Sequence, residues 1–286
     1  MQNTDNLPVV RYSSESQMRT PGKLVRSMLA DVAASRELSW RLFIRDLNAQ
    51  YRQSLFGVIW AFIPPIVTSL IFIVLNSRKV IDFGDVGIPY AAYVLVGTIL
   101  WQMFSESLNA PLKSVTAAQQ LLAKVNFPRE ALIISAIYLT VFNSLIKGLV
   151  IGAVIIIFRL QPGWGIIFAP LAIMMLILLG IALGLLVTPI GMLYTDVATS
   201  LPIIVQLAFF VTPVVYPPPQ NFPFSLIAVL NPVSPLLIAA RDLLTTGTLT
   251  NPLAVALVSG FVLLALLLGW LIYRVALPIL IERMSS

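Results

Sequence analysis

Residues 164–187 read WGIIFAPLAIMMLILLGIALGLLV and carry no charged side chain. A helix of about 20 such residues crosses the roughly 30 Å hydrocarbon core of a bilayer. Five further apolar runs flank this one: Leu55–Leu75, Tyr90–Leu108, Leu132–Phe158, Val197–Tyr216 and Pro252–Tyr273. The expected fold is therefore an all-α integral membrane protein with six transmembrane helices. A seventh apolar stretch, Phe224–Ala240, is broken by Asn231-Pro232 and by Pro235. Prolines this close together interrupt a helix, and each half is too short to span. The stretch is expected to form a re-entrant helical hairpin between spans five and six, with the gate at about 218–245. Irregular backbone at membrane depth is tolerated where protein buries it or where it lines a cavity.

Composition agrees with this reading. Of 286 residues, 58% are hydrophobic and 10% are charged, against about 25% charged in soluble domains. Mean hydropathy is +0.93. These values exclude a soluble enzyme, a disordered chain and an ordinary nucleic-acid-binding domain. The formal net charge of +6 comes from basic residues flanking apolar runs, so it reads as membrane orientation and not as nucleic-acid binding. The chain has no Cys and no His. Disulfides, thiolate metal sites and the commonest general base are thereby absent. There is no P-loop motif for ATP and no carboxylate relay inside the spans other than Glu106.

Residues 1–20 are polar and no apolar core precedes residue 55, so the first span is expected to serve as the insertion signal. Thirteen basic residues fall on one side: Arg11, Arg19, Lys23, Arg26, Arg36, Arg41, Arg45, Arg52, Lys113, Lys124, Arg129, Arg274 and Arg283. Four fall on the other: Arg78, Lys79, Arg159 and Arg241. The positive-inside rule then places both termini in the cytoplasm.

Three segments carry more than anchoring. Within 36–54, Trp40, Phe43, Ile44, Leu47 and Tyr51 recur at helical spacing, while Arg41, Arg45 and Arg52 take another face. Such a helix lies in the membrane interface, its apolar face in lipid. It is either a plain topology signal or also a contact for a cytoplasmic partner. In the connection Asn109–Glu130, Lys113–Leu122 reads as a short helix. Asn126-Phe127-Pro128-Arg129-Glu130 then restarts helix, with Pro128 in the first turn; Phe127 either docks another protein or packs on its own chain. Lys147 lies deep in the third span beside Asn143 and Ser144. It lines a path for an anionic or hydroxyl-rich substrate, snorkels outward, or pairs with a carbonyl. Aromatic residues Tyr216, Phe222 and Phe224 sit in a Pro-rich outer connection, as interface anchors or as platforms for sugar rings.

Four stretches together resemble a family, the membrane (permease) subunits of bacterial ABC exporters of surface polysaccharides. They are Arg45-Asp46-Leu47 running into Tyr51-Arg52-Gln53-Ser54-Leu55-Phe56-Gly57 and Trp60; Lys124 through Glu130; Phe210-Val211-Thr212-Pro213-Val214-Val215-Tyr216-Pro217; and Leu230-Asn231-Pro232 followed by Arg241-Asp242. The resemblance covers about residues 36–280. It departs at Tyr194-Thr195-Asp196, where the family often has Arg before the acid. Residues 1–35, outside the resemblance, are expected to be a polar cytoplasmic tail; the resemblance implies an interface helix over 36–54 and a six-span exporter domain over 55–280. It implies coupling to an ATPase through Asn126, Phe127, Pro128, Arg129 and Glu130. It implies an outer gate formed by Tyr216, Phe222, Phe224, Asn231, Pro232, Pro235 and Arg241. The expected assembly is two copies of this chain with two P-loop ABC ATPase subunits in a bacterial inner membrane. ATP and Mg would be bound by those partners, with no cofactor in this chain. The cargo would be a lipid-linked polysaccharide of O-antigen, capsule or teichoic-acid type. The competing readings are a permease for a small amphiphile and a membrane-bound lipid-linked sugar transferase.

Overall fold

The computed structural model describes residues 21–52, 59, 62–81, 84, 86–119, 122, 128–219, 221–222 and 224–285. Among these, all regular structure is helical. In chain order the helices are α1 (Pro21–Tyr51), α2 (Ile63–Ser77), α3 (Tyr90–Ala117), α4 (Glu130–Ile157), a 3-10 turn (Trp164–Phe168), α5 (Ala169–Leu193), α6 (Thr195–Val211), α7 (Phe224–Leu230), α8 (Val233–Thr245) and α9 (Pro252–Ser285).

Helices α3 and α5 form the centre and pack most extensively on each other. The reason lies in small residues. A Cβ on Gly180 would collide with Ser107 Oγ and the Phe104 carbonyl, and one on Gly184 with the Leu108 carbonyl. Gly180-Ile181-Ala182-Leu183-Gly184 is thus a small-xxx-small seam that lets two backbones touch. Helix α9 covers α5, α4 covers α3, and α1 lies along α4.

Among the described residues, three helical segments are long and apolar enough to cross a membrane: Glu130–Ile157, Trp164–Leu193 and Pro252–Leu277. Ile63–Ser77 and Thr195–Val211 are shorter apolar helices. At about 1.5 Å per residue they extend roughly 22 and 25 Å. Helix α3 is long but less apolar, because it carries Gln102, Glu106 and Asn109. Most of it is buried against its neighbours; a helix walled by protein tolerates polar groups that a lipid-facing one does not.

Several boundaries differ from the sequence reading. Helix α1 starts at Pro21, so the second part of the stretch read as a tail is helical. Lys113–Ala117 is no separate helix but the last turn of α3, which runs through Pro111. Helix α4 starts at Glu130 with Arg129 as its N-cap, so Pro128 stands just before the helix and not within its first turn. The fifth apolar run leaves helix after Val211, and Thr212–Tyr216 folds back as a turn. The broken stretch forms two helices, α7 and α8, parted at Asn231-Pro232, where Asn231 Oδ1 accepts from the Val233 N–H.

The basic residues counted on the less positive side also have local reasons. Lys79 and Arg159 adopt positive φ just beyond α2 and α4, where 6→1 bonds from Val80 to Leu75 and from Leu160 to Ile155 close the helix ends. Cations suit helix C-termini. Arg241 is 1% exposed and is not a surface charge at all.

Candidate functional site

Three polar clusters stand out from the apolar bulk. The first lies beyond α6. Arg241, on α8, donates through Nη1 to the carbonyls of Pro213 (3.2 Å) and Val214 (2.9 Å). Its guanidinium sits 3.8 Å from the centroid of the Tyr93 ring. Tyr93 and Tyr90, on the first turn of α3, donate to the carbonyls of Tyr216 and Val215, each at 3.0 Å. Asn231 Nδ2 donates to Thr212 Oγ1 at 2.8 Å. A Cβ on Gly97 would collide with the Val214 carbonyl. The Thr212–Tyr216 turn is therefore gripped by α3, α8 and the α7–α8 corner. Of the residues expected at an outer gate, Asn231 and Arg241 are brought together here, with Tyr216 donating its hydroxyl to the Phe210 carbonyl at 2.9 Å. Pro232 is the N-cap of α8, and Pro235 lies in its first turn. Phe222 is exposed, and the Phe224 side chain lies outside the described residues.

The second cluster is at the opposite end of α3. Arg274 of α9 is an ion-pair hub, with Nη1 2.8 Å from Glu130 Oε1 and Nη2 2.6 Å from Asp31 Oδ2. Tyr273 OH donates to the Arg129 carbonyl at 3.2 Å. Helix α9 thus holds both the side chain and the backbone of the α4 N-terminus, and ties it to α1. Of the expected coupling residues, Arg129 and Glu130 take part in this junction, and Pro128 immediately precedes it. Asn126 and Phe127 lie outside the described residues.

The third cluster is a cleft of about 470 Å³ between α1, α3 and α4. Asp46, Gln50, Glu106, Asn109, Lys113 and Asn143 line it, with Ala49, Ala110, Ala136 and Leu139 between them. Tyr51 OH donates to Asn143 Oδ1 at 3.0 Å. Burial first, and the Glu106 carboxylate second, push the Tyr51 phenol up from its ordinary value, so it remains a donor at neutral pH. Behind Glu106 lies Lys147, with Nζ 2.5 Å from Oε2. The Lys147 side chain is 1% exposed and that of Glu106 is 36% exposed. The lysine neither snorkels nor pairs with a carbonyl: a carboxylate on the neighbouring helix neutralises it, and Glu106 is the partly exposed partner of a buried ammonium. Of the three candidate lining residues, Asn143 faces the cleft, and Ser144 and Lys147 are buried.

Helix α1 does not present its whole apolar face to lipid. Phe43 is buried against Tyr138 and Phe142 of α4, and Trp40 stays largely exposed at the edge of that aromatic group. Arg41 pairs with Glu37 and Arg45 with Asp46 at the surface, and Arg52 follows the helix end, also exposed.

Sequence reading had not singled out Asp31, Tyr93, Gly97 or the glycine seam. Gly180 and Gly184 carried a legible signal in their spacing. Asp31 carried none, since nothing local links it to a residue 243 positions away.

No group of three or more metal-ligating side chains occurs among the described residues. What the fold and these clusters define is a multi-pass helical membrane protein with a polar cleft and ion pairs joining its helices. Residues 37–245 match the family described as "ABC-2 type transporter", and the chain belongs to that family. It is thereby a membrane permease subunit of an ABC transporter, a class that is not itself catalytic. Among its relatives is an O-antigen export system permease protein RfbA of Klebsiella pneumoniae, 24% identical over 77% of this chain and 85% of the relative. A second Klebsiella pneumoniae protein of that name is 25% identical over 72% of this chain and 79% of its own length. A Myxococcus xanthus protein, also described as an O-antigen export system permease protein RfbA, is 28% identical over 60% of this chain and 65% of its own length.

Proposed function

We propose that this chain is the transmembrane permease of an ATP-driven exporter that moves a lipid-linked polysaccharide outward across a bacterial inner membrane. The observation that carries the reading is the match over residues 37–245 together with relatives described as O-antigen export permeases. In this reading the chain crosses the membrane six times with both termini cytoplasmic. The part of α1 from residue 36 onward is the interface helix, and the α7–α8 hairpin is a re-entrant gate at the outer leaflet. Two copies associate, with the path for the polymer between them, and two P-loop ATPase subunits bind ATP and Mg. The 126–130 segment receives their motion. The junction of Arg274 with Glu130 and Asp31 supports that role, because a displacement of the α4 N-terminus is passed at once to α1 and α9.

A polymer longer than any pocket cannot be enclosed, so export through a continuous path fits better than a pocket that alternately opens to each side. The test is purification of the chain from its native membrane in mild detergent, with mass spectrometry and an ATPase assay. A stoichiometric P-loop ATPase with vanadate-sensitive turnover is expected. A chain that purifies alone under several gentle conditions would undercut the reading.

A further inference from the structure

We propose that the cleft between α1, α3 and α4 binds neutral carbohydrate hydroxyls of the cargo, with Glu106 as the central acceptor; the assignment to cargo rests on the exporter reading. The cleft volume of about 470 Å³ falls in the roughly 300–1,000 Å³ range of small-molecule sites. Its lining alternates two kinds of surface. Alanines 49, 110 and 136 with Leu139 offer apolar area that suits the C–H face of a pyranose. Gln50, Asn109 and Asn143 offer amide donors and acceptors, and Glu106 offers a carboxylate that only accepts.

Charge separates hydroxyls from phosphate. The cation of the Glu106–Lys147 pair is sealed at 1% exposure, while its anion faces the cleft. A ligand in the cleft therefore meets the Glu106 carboxylate with the Lys113 ammonium as the cation of the lining that is unpaired among the described residues, the Asp46 carboxylate being already paired with Arg45 at 2.8 Å. A pyrophosphate would be brought against Glu106 with the compensating Lys147 out of reach. A hydroxyl donor gains a charge-assisted hydrogen bond from the same carboxylate. Lys147 then acts as an internal counterion. It fixes the Glu106 carboxylate at a depth of about 17 Å along α3 from its end at Ala117, at 1.5 Å per residue, without itself presenting charge to the ligand.

The chain contains no Cys, so Ala110→Cys places a single thiol in the cleft. The full-length variant in glycolipid-free nanodiscs is labelled with a water-soluble maleimide in the presence of neutral hexose oligosaccharides or inorganic pyrophosphate. Oligosaccharide is expected to slow labelling and pyrophosphate to leave it unchanged. Glu106→Gln alone strands Lys147 and threatens folding, so the comparison uses Glu106→Gln with Lys147→Met, which removes both charges. That double variant should need about tenfold more oligosaccharide, equivalent to ~1.4 kcal/mol and the size of one hydrogen bond to a charged group. Protection by pyrophosphate would overturn the proposal, as would equal protection of the double variant. Protection by a sugar-free lipid would assign the site to membrane lipid and overturn it too. If neither sugar protects, yet the chain co-purifies with an active ATPase, the cleft assignment fails while the exporter reading stands. Absence of the ATPase with sugar protection retained would sink the exporter reading and leave a sugar site.

Discussion

The Glu106–Lys147 pair makes a quantitative prediction because its two ends differ so much in exposure. Removing one partner of a buried pair costs about 3–5 kcal/mol, since the other is left charged without compensation. Glu106→Gln leaves an ammonium that is 1% exposed in the middle of α4, and the full cost is expected. Lys147→Met leaves a carboxylate that is 36% exposed and open to water in the cleft, so about half that cost is expected or less. The double variant has no charge to strand, and its loss should fall to about 1 kcal/mol, the surplus of the single losses being the coupling between the sites. The apparent melting temperature, followed by fluorescence-detected size exclusion in detergent, should drop by roughly 10 °C for Glu106→Gln at about 2–4 °C per kcal/mol. The drop should be several degrees for Lys147→Met and slight for the double. Equal effects of the two single changes, or a double change equal to their sum, would refute the claim that this pair is buried and coupled.

Three other outcomes follow from the packing. Gly184→Leu should abolish the folded monodisperse peak, because its side chain enters the Leu108 carbonyl and the Pro111 ring; Gly148→Ala, which meets nothing within 4 Å, should leave the peak intact and add up to ~1 kcal/mol of helix stability. Tyr93→Phe loses the bond to the Tyr216 carbonyl and should cost about 1 kcal/mol, whereas Tyr93→Ala also loses the face under Arg241 and should cost at least ~2 kcal/mol more, read as thermal stability of the purified chain. Arg274→Gln breaks the link between α9, α4 and α1; in the reconstituted complex export should fall several-fold while ATP hydrolysis continues, and Arg274→Lys should restore only part, since one ammonium cannot match the fork that serves two carboxylates. Equal loss of both activities would place Arg274 in folding alone.

The apolar runs were legible from composition because lipid imposes a local rule: each span must satisfy its own backbone and present apolar side chains over a fixed length. That rule located the cores of α4, α5 and α9 within a few residues. It was less exact for α3, whose polar residues face protein and whose last turns continue past the apolar run. It misplaced the end of α6, because Thr212–Tyr216 is turned by Arg241 and the two tyrosines of α3, which are remote in the chain. The motifs around Thr212-Pro213-Val214-Val215-Tyr216 and Arg241 were visible separately; their contact was not.

Sequence alone therefore determined what depends on neighbours along the chain: an all-helical membrane protein, a helix break at Asn231-Pro232, and a basic amphipathic segment ending near Tyr51. Tertiary structure decided which charges are surface charges and which are internal. Lys147 reads as a costly isolated cation until α3 brings Glu106 to it, and Arg274 reads as a topology signal until α1 and α4 supply Asp31 and Glu130. The energy of a charge in a membrane is set by what lies within a few ångströms in space, and sequence distance carries no information about that.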